Sequence, residues 1–456
     1  DNTILIIDEV HNLFRPLATQ RAHHEYLEQQ IIDPRKHPNL KIVILTATPG
    51  DNVPDVLKLL NMLRNPQAPV ITAPNPESQD DIQRFRQDVR GMISFFDMSK
   101  DPTKFPKVYD NEKPIKIPLS SKQLAKYIDA YKEVKAEHKN FDALAKKNQV
   151  NKYWQAARKY ANSLFNFEKN MGLGDFSAKL PVLLKTIQEK DTEKHYVYSA
   201  FYENRGYGGH GILAIAKELE KLGYEKLTVQ EAKKHNVDNT LPLGKKRFIL
   251  AITSEIGDGV NAGKNLHEMV RIYNHAENRR GDIVHVFLAS QGFNEGLDLK
   301  ATRHIHFFEP LVTMAADKQT IGRAARYCSH GDLEQTEWTV EVHRYMSDVP
   351  SSDSFKNSSD SLERDITNLE ARIAASSSPG EKKELKKELT KLKKELKTLG
   401  ASSASNIEEA IFKESRDRMK QLLTVYTAMQ EAALDCMILA EFHGSTTGKQ
   451  ITCATY

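Results

Sequence analysis

The chain has 456 residues, of which 39% are hydrophobic and 28% charged, enough for two or three packed domains and too apolar for a disordered protein. Its 65 Lys and Arg against 61 Asp and Glu leave a net charge of +4, which excludes a polycation over the whole surface; any nucleic-acid face must be local. No apolar run approaches the ~20 residues of a membrane span, and the first residues show no basic start and apolar middle, so neither a membrane nor a secreted protein is expected.

In chain order, Asp1-Asn2-Thr3 lacks a methionine and runs into Ile4-Leu5-Ile6-Ile7, which reads as a buried parallel strand at the start of a piece cut from a longer protein. A polar stretch to Ile32, a strand at 41–45 and a helical pattern at 53–63 follow. Strands alternating with helices argue for a parallel α/β layer. From Ser120 the period changes: Leu124, Tyr127, Ile128, Tyr131 and Val134 share a helical face, with Ser120 or Ser121 as N-cap. A second stripe, Trp154, Ala157, Tyr160, Ala161, Leu164 and Phe165, reads as core packing, with a base-stacking platform as the lesser alternative. After Gly172-Leu173-Gly174 come strands at 195–198, 247–252, 283–288 and 304–308 and a helix at 212–222, a second α/β domain.

Residues 351–405 differ in composition. Leu362, Ile366, Leu369 and Ile373, then Leu385, Leu389, Leu392, Leu396 and Leu399, form two heptad stripes around Ser376-Ser377-Ser378-Pro379-Gly380, the pattern of an antiparallel helical hairpin. The second arm, 381–397, holds eight Lys and four Glu, a solvated face or, less favoured, a phosphate-binding arm. The two stripes are expected to bury each other, so that 355–402 project as an independent arm. An amphipathic helix at 407–439 precedes a polar tail. Cys328, Cys436 and Cys453 show neither metal-ligand spacing nor a disulfide framework, and a reducing compartment is expected.

Chemistry concentrates at the ends of strands. Asp8-Glu9-Val10-His11 follows the first, where α/β sheets place ligands; Asp8 suits Mg²⁺ held through water and Glu9 the deprotonation of an attacking water. Thr46-Ala47-Thr48-Pro49 ends the next strand with hydroxyls suited to sensing a nucleotide phosphate; alone, this tetrapeptide reads as a Thr-rich strand end stopped by Pro49. In the second domain Glu295-Gly296-Leu297-Asp298 follows a strand, and 319–326 is read as the start of a helix, which would set Arg323 and Arg326 on one face to stabilise a transferring γ-phosphoryl group. An Arg pair satisfying acidic neighbours is the equal alternative.

DEVH, LTATP, SQGFNEGLDL and QTIGRAARYCSH, in that order, resemble motifs II, III, V and VI of superfamily 2 helicases and translocases. The closer resemblance is to the giant-virus and poxvirus branch that includes nucleoside triphosphate phosphohydrolase I and the early transcription factor small subunit. Supporting it are 90–96 (RGMISFF), 273–281 (YNHAENRRG), Cys328-Ser329-His330 and Ala433-Leu434-Asp435-Cys436. The likeness spans 1–348 and 407–440 and skips the hairpin. It implies an α/β fold of two RecA-like parallel-sheet domains, with 1–110 the later part of the first, 111–175 a helical linker, 176–350 the second, 351–405 the hairpin and 406–456 the closing helix and tail.

By motif match, Asp8 and Glu9 would be the metal and water residues and Thr46 and Thr48 would couple hydrolysis to motion. His11 would belong to ATP binding or coupling, Gly296 and Asp298 would face the nucleotide and nucleic acid, Gln319 would approach the nucleotide, Arg323 and Arg326 would be arginine fingers, and Ser199 would contact the nucleic-acid backbone. The resemblance further implies ATP and Mg²⁺ as cofactors, DNA or RNA and viral RNA polymerase or transcription factor subunits as partners, and a virion or host-cytoplasmic location. One element of the pattern is missing: no phosphate-cradling loop with its Lys and Ser or Thr precedes Asp8. Gly257-Asp258-Gly259-Val260-Asn261-Ala262-Gly263-Lys264 lacks the required Gly at Asp258 and hydroxyl at Asn265 and is expected to be a flexible loop. The whole protein is therefore expected to be a nucleic-acid-dependent ATPase working in viral transcription, and this chain alone to turn over ATP poorly. The competing expectation is a degenerate helicase fold serving as a docking platform.

Overall fold

The computed structural model describes residues 3–10, 25–27, 37, 39–65, 67–95, 101–137, 155–168, 171–202, 210–235, 245–257, 259–293, 296–349, 355–376, 378–400, 406–438 and 453. The principal elements are β1 (Thr3–Asp8), β2 (Leu40–Leu45), α1 (Val53–Leu63), α2 (Gln79–Val89), β3 (Lys107–Tyr109), β4 (Ile115–Pro118), α3 (Ser121–Glu137), α4 (Gln155–Asn162), α5 (Lys179–Glu189), β5 (Lys194–Tyr198) and α6 (Ile212–Lys221). There follow β6 (Glu225–Lys226), β7 (Arg247–Ala251), α7 (Gly259–Tyr273), β8 (Val286–Ala289), β9 (Thr302–Phe307), α8 (Met314–Ile321), β10 (Thr339–Asp348), α9 (Phe355–Ala375), α10 (Pro379–Gly400) and α11 (Ile407–Glu431). The chain divides into two compact units: one of Asp1–Phe105, Thr313–Gly322 and Lys413–Tyr456, the other of Pro106–Val312 and Arg323–Phe412.

In the first unit β1 and β2 pair in parallel, Asp8 opposite Leu45. The expected burial of this strand is not found: Ile4 and Ile6 are 66% and 62% exposed, because a parallel pair buries its apolar faces only where further layers cover them. The core lies instead among the helices, where Val56, Leu60, Phe85 and Val89 pack with Leu422, Val425, Ala428 and Met429 of α11. Asn52 caps α1 through its side chain on Asp55 N, and Ser78 caps α2 on Asp81 N, each satisfying an orphan amide of the first turn. The sequence predicts no disulfide, yet Cys436 and Cys453 are bonded, with Cα atoms 5.7 Å apart. Spacing in sequence says nothing about which thiols the chain brings together.

The second unit is built on an eight-stranded sheet in the order β3-β10-β9-β5-β8-β7-β6, with β4 also on β10, and every pairing is parallel. Such a sheet is covered on both faces, which explains why β5, β7 and β8 are buried at every position. Two expectations change. Residues 111–175 are not only a helical linker, since β4 lies within them and pairs with β10, as β3 just before them does. The hairpin is not an independent arm: Ile366 and Leu369 of α9 and Leu385 and Leu392 of α10 share a buried cluster with Leu124, Tyr127 and Ile128 of α3 and Ile407 of α11. A third helix therefore shares the seam between the two stripes.

Candidate functional site

In the first unit the strand ends place the motif residues as the sequence suggests. Asp8 closes β1, and Glu9 beyond it adopts φ +51°, a left-handed backbone that stops the strand; Glu9 N donates to Asp8 Oδ1 at 2.9 Å, and both residues are exposed. Register sets Asp8 beside Leu45, so Thr46 follows on the neighbouring strand. Thr48 N donates to Thr46 Oγ1 at 3.1 Å, and Gln319 Nε2 of α8 donates to Thr48 Oγ1 at 2.9 Å. The glutamine of the sixth motif is thereby tied to the hydroxyl of the third. Two supporting stretches also meet: Ser94 Oγ donates to Asp435 Oδ2 at 2.5 Å, Phe95 N to Asp435 Oδ1 at 2.9 Å, and Leu434 N to Ile93 O at 2.9 Å. His11 lies outside the described residues.

In the second unit a single asparagine holds the Gly296–Asp298 loop. Asn274 Nδ2 donates to Asp298 O at 2.7 Å, and Lys300 N donates to Asn274 Oδ1 at 2.8 Å. Gly296 has φ +74°, a conformation open to glycine at little cost. Leu299 N donates to Arg323 O at 2.9 Å, which joins this loop to the arginine motif. Asn278 is buried and spends its whole amide on backbone, donating to Tyr273 O and Val284 O and accepting from Ile283 N and Val284 N. Residues 273–281 are thus the brace behind the loop.

Contrary to expectation, Arg323 and Arg326 do not lie on one helical face. α8 ends at Ile321, and the arginines follow in turns; Gly322 at the C-terminus was the signal. Arg323 is buried and Arg326 half-buried. Arg326 N donates to Ser329 Oγ at 3.2 Å, Ala301 N to Ser329 O at 2.8 Å, and His330 Nε2 pairs with Thr302 O at 3.1 Å. Burial, with Arg303 second, presses the His330 imidazole down to about 4, so it serves as a neutral tether between the arginine motif and β9.

Ser199 is a correction. It is fully buried, its hydroxyl donates to Glu309 Oε2 at 3.0 Å, and a Cβ on Gly211 would stand 2.7 Å from Ser199 Oγ and 2.2 Å from the Phe201 carbonyl oxygen. A hydroxyl so enclosed does not face a nucleic-acid backbone. It belongs to a buried polar network that sequence reasoning missed. Lys179 Nζ donates to Glu408 Oε1 at 2.7 Å, Asn162 Oδ1 at 2.9 Å and Phe308 O at 3.0 Å, while Asn162 Nδ2 donates to Glu309 Oε2 at 2.9 Å. Burial raises the Glu309 carboxyl, opposed by Lys179 and Arg158. The expected loop at 257–264 is a second correction, because α7 begins at Gly259 and Asn265 Nδ2 donates to Ile256 O at 2.7 Å.

Both units are α/β with parallel strand pairing, and the proteins to which the chain is similar include named helicases. Among curated proteins, the chain is similar to a provisionally named ATP-dependent RNA helicase of Acanthamoeba polyphaga mimivirus, 27% identical over 376 residues and covering 76% of this chain and 61% of that one. It is also similar to an uncharacterized killer plasmid pGKL-2 helicase of Kluyveromyces lactis, at 25% identity with 75% and 46% covered. A third relative is a termination factor NPH-I homolog of African swine fever virus, at 24% identity with 75% and 56% covered. The chain therefore spans 46% to 61% of the length of these relatives. No protein-family model matches it. The Sulfolobus solfataricus SWI2/SNF2 ATPase core in complex with dsDNA superposes with a TM-score of 0.31 at 15% identity, covering 80% of this chain and 67% of that one, too loosely to add support. Among the described residues no helix is long and apolar enough to cross a membrane.

Proposed function

We propose that the chain is part of a nucleic-acid-dependent ATPase of the superfamily 2 type, a motor acting on DNA or RNA in viral transcription. The observation that carries this reading is the Asp8-Glu9 pair at the end of β1 with Thr46 and Thr48 beside it and Gln319 on Thr48. A hydrolase needs this linkage, and a passive platform has no use for it.

Exposed carboxylates at a strand end are hard oxygen donors that suit Mg²⁺ through water. With ATP bound, Asp8 would hold the ion, which would supply charge screening on the phosphates, and Glu9 would orient the attacking water and take its proton. Thr46, Thr48 and Gln319 sense the state of the phosphate, the Gly296–Asp298 loop transmits it, and Arg323 and Arg326 neutralise charge on the transferring group. His11 is assigned to the nucleotide by motif alone. Without a phosphate-cradling loop among its residues, this chain by itself turns over ATP poorly. The termination factor relative supports a place in transcription, with polymerase or transcription factor subunits as partners in a virion or viral factory.

The test is ATP hydrolysis with and without single- and double-stranded DNA and RNA, in this chain and in the whole protein. The reading expects nucleic-acid-stimulated turnover in the whole protein; a whole protein with an intact phosphate loop and no turnover under any condition would leave the docking-platform reading in its place.

A further inference from the structure

In the second unit's sheet, one face of the neighbouring strands β5, β9 and β10 gathers histidines. Register sets His195 and Glu341 on either side of His304, and Val197 and His343 on either side of His306. His195 lies four residues before Ser199, about 13 Å along the strand. His306 has both ring nitrogens engaged, Nε2 with His195 Nδ1 at 2.9 Å and Nδ1 with Tyr345 OH at 3.0 Å.

His304, His343 and Glu341 make a different arrangement. His304 Nδ1 is 3.1 Å from His343 Nε2 and 3.6 Å from Glu341 Oε2, and His343 Nε2 is 3.9 Å from the same oxygen. A tetrahedral Zn²⁺ with bonds of about 2.0–2.1 Å holds its ligand atoms about 3.3 Å apart, so the triangle has the size of one face of such a site. The tautomer suits it as well. His304 Nε2 is 2.5 Å from Glu193 Oε2, and against a carboxylate that nitrogen carries the proton, which leaves the Nδ1 lone pair directed at the triangle. A carboxylate that fixes a histidine through its far nitrogen is the usual support of a metal-ligating imidazole. Arg303 Nη2, 3.9 Å from Glu193 Oε2, holds the carboxylate in turn. The His304 side chain is fully buried, whereas that of Glu341 is 40% exposed, giving an ion a way in.

We propose that His304 Nδ1, His343 Nε2 and the Glu341 carboxylate bind a Zn²⁺ ion, with water as fourth ligand and Glu193 as a positioning residue. Two imidazoles and one carboxylate form a donor set suited to Zn²⁺ rather than Mg²⁺ or Ca²⁺, so the site is chemically separate from the nucleotide's cation. The ion clips β9 to β10, the strand that also pairs with β3 and β4. The alternative is a His343 Nε2–H donating to His304 Nδ1 with no metal.

The full chain, stripped of metal, is titrated with Zn²⁺ against a chromophoric chelator, and with Co²⁺, whose visible absorption reports tetrahedral coordination. Glu341→Gln with His343→Gln is compared with the parent, and Glu193→Gln is measured separately; thermal melts in chelator establish that each variant folds. The proposal expects the double variant to lose one equivalent of bound metal and the tetrahedral Co²⁺ spectrum, and Glu193→Gln to weaken affinity about 10- to 100-fold with stoichiometry unchanged. Metal uptake identical in parent and double variant, or no uptake by the parent, overturns it.

Discussion

Replacing Lys179 by methionine tests the buried network that locks β5, β9 and α11 of the second unit together. The ammonium is fully buried and makes hydrogen bonds to both Glu408 oxygens, at 2.7 and 2.9 Å, to Asn162 Oδ1 and to Phe308 O. Glu408 is itself buried, and Ser347 N donates to its Oε2 at 2.6 Å. Burial pulls the Lys179 ammonium downward and Glu408 pulls it back up. Methionine matches the length of the stem and removes every donor, which takes the ammonium partner from the buried Glu408 carboxylate. Removing one member of a buried pair costs about 3–5 kcal/mol, whereas replacing both by apolar groups is often near neutral. Urea unfolding of the full chain, followed by circular dichroism, should show a loss of that size for Lys179→Met. The double variant Lys179→Met/Glu408→Leu should recover most of it, less about 1–3 kcal/mol for the stranded Ser347 amide. A single variant within about 1 kcal/mol of the parent, well below the cost of an uncompensated buried charge, would refute the reasoning.

Leu392→Ala in α10 should cost about 2–5 kcal/mol, and deleting 355–402 with a short linker should lower the melting temperature clearly, because the hairpin's stripe is part of the α3 core; unchanged melting would restore the independent arm. Stability should fall as pH drops from about 6.5 toward 4, since burial holds His285 and His330 down to about 4 in the fold and the unfolded chain takes up those protons first. Above that window the contribution is intact, and His330→Gln should reduce the slope by up to one proton; an unchanged slope would show that His330 does not titrate there. Arg323→Ala and Arg326→Ala in the whole protein should each lower ATP turnover roughly 10³-fold or more with nucleic-acid affinity nearly kept. Weakened binding at unchanged turnover would reassign that arginine.

The strand ends were legible because they are local. An apolar run stopped by Asp8-Glu9, or by Thr46 and Pro49, needs only its own residues to be read, and the same holds for β5, β7, β8 and β9. β10 was not legible: Glu341, His343, Arg344, Ser347 and Asp348 make it look like surface. Its polar groups are satisfied from afar, Arg344 by Asp110, Ser347 N by Glu408, and His343 by His304. The hairpin's heptads disclosed two helices but not the third that covers them, since a stripe does not name its partner. Ser199 failed for the opposite reason. Motif position carried the expectation, while burial depends on Glu309 and Gly211, which come from elsewhere in the chain. The end of α8 could have been read from Gly322.

The most direct test of the account is Glu9→Gln in the whole protein, assayed for nucleotide binding and for steady-state hydrolysis with nucleic acid present. The amide keeps the shape of the carboxylate and cannot take the proton of the attacking water. ATP binding should be retained while turnover falls about 10²-fold or more; a variant keeping more than about a tenth of the parent rate would contradict the role of Glu9 as base.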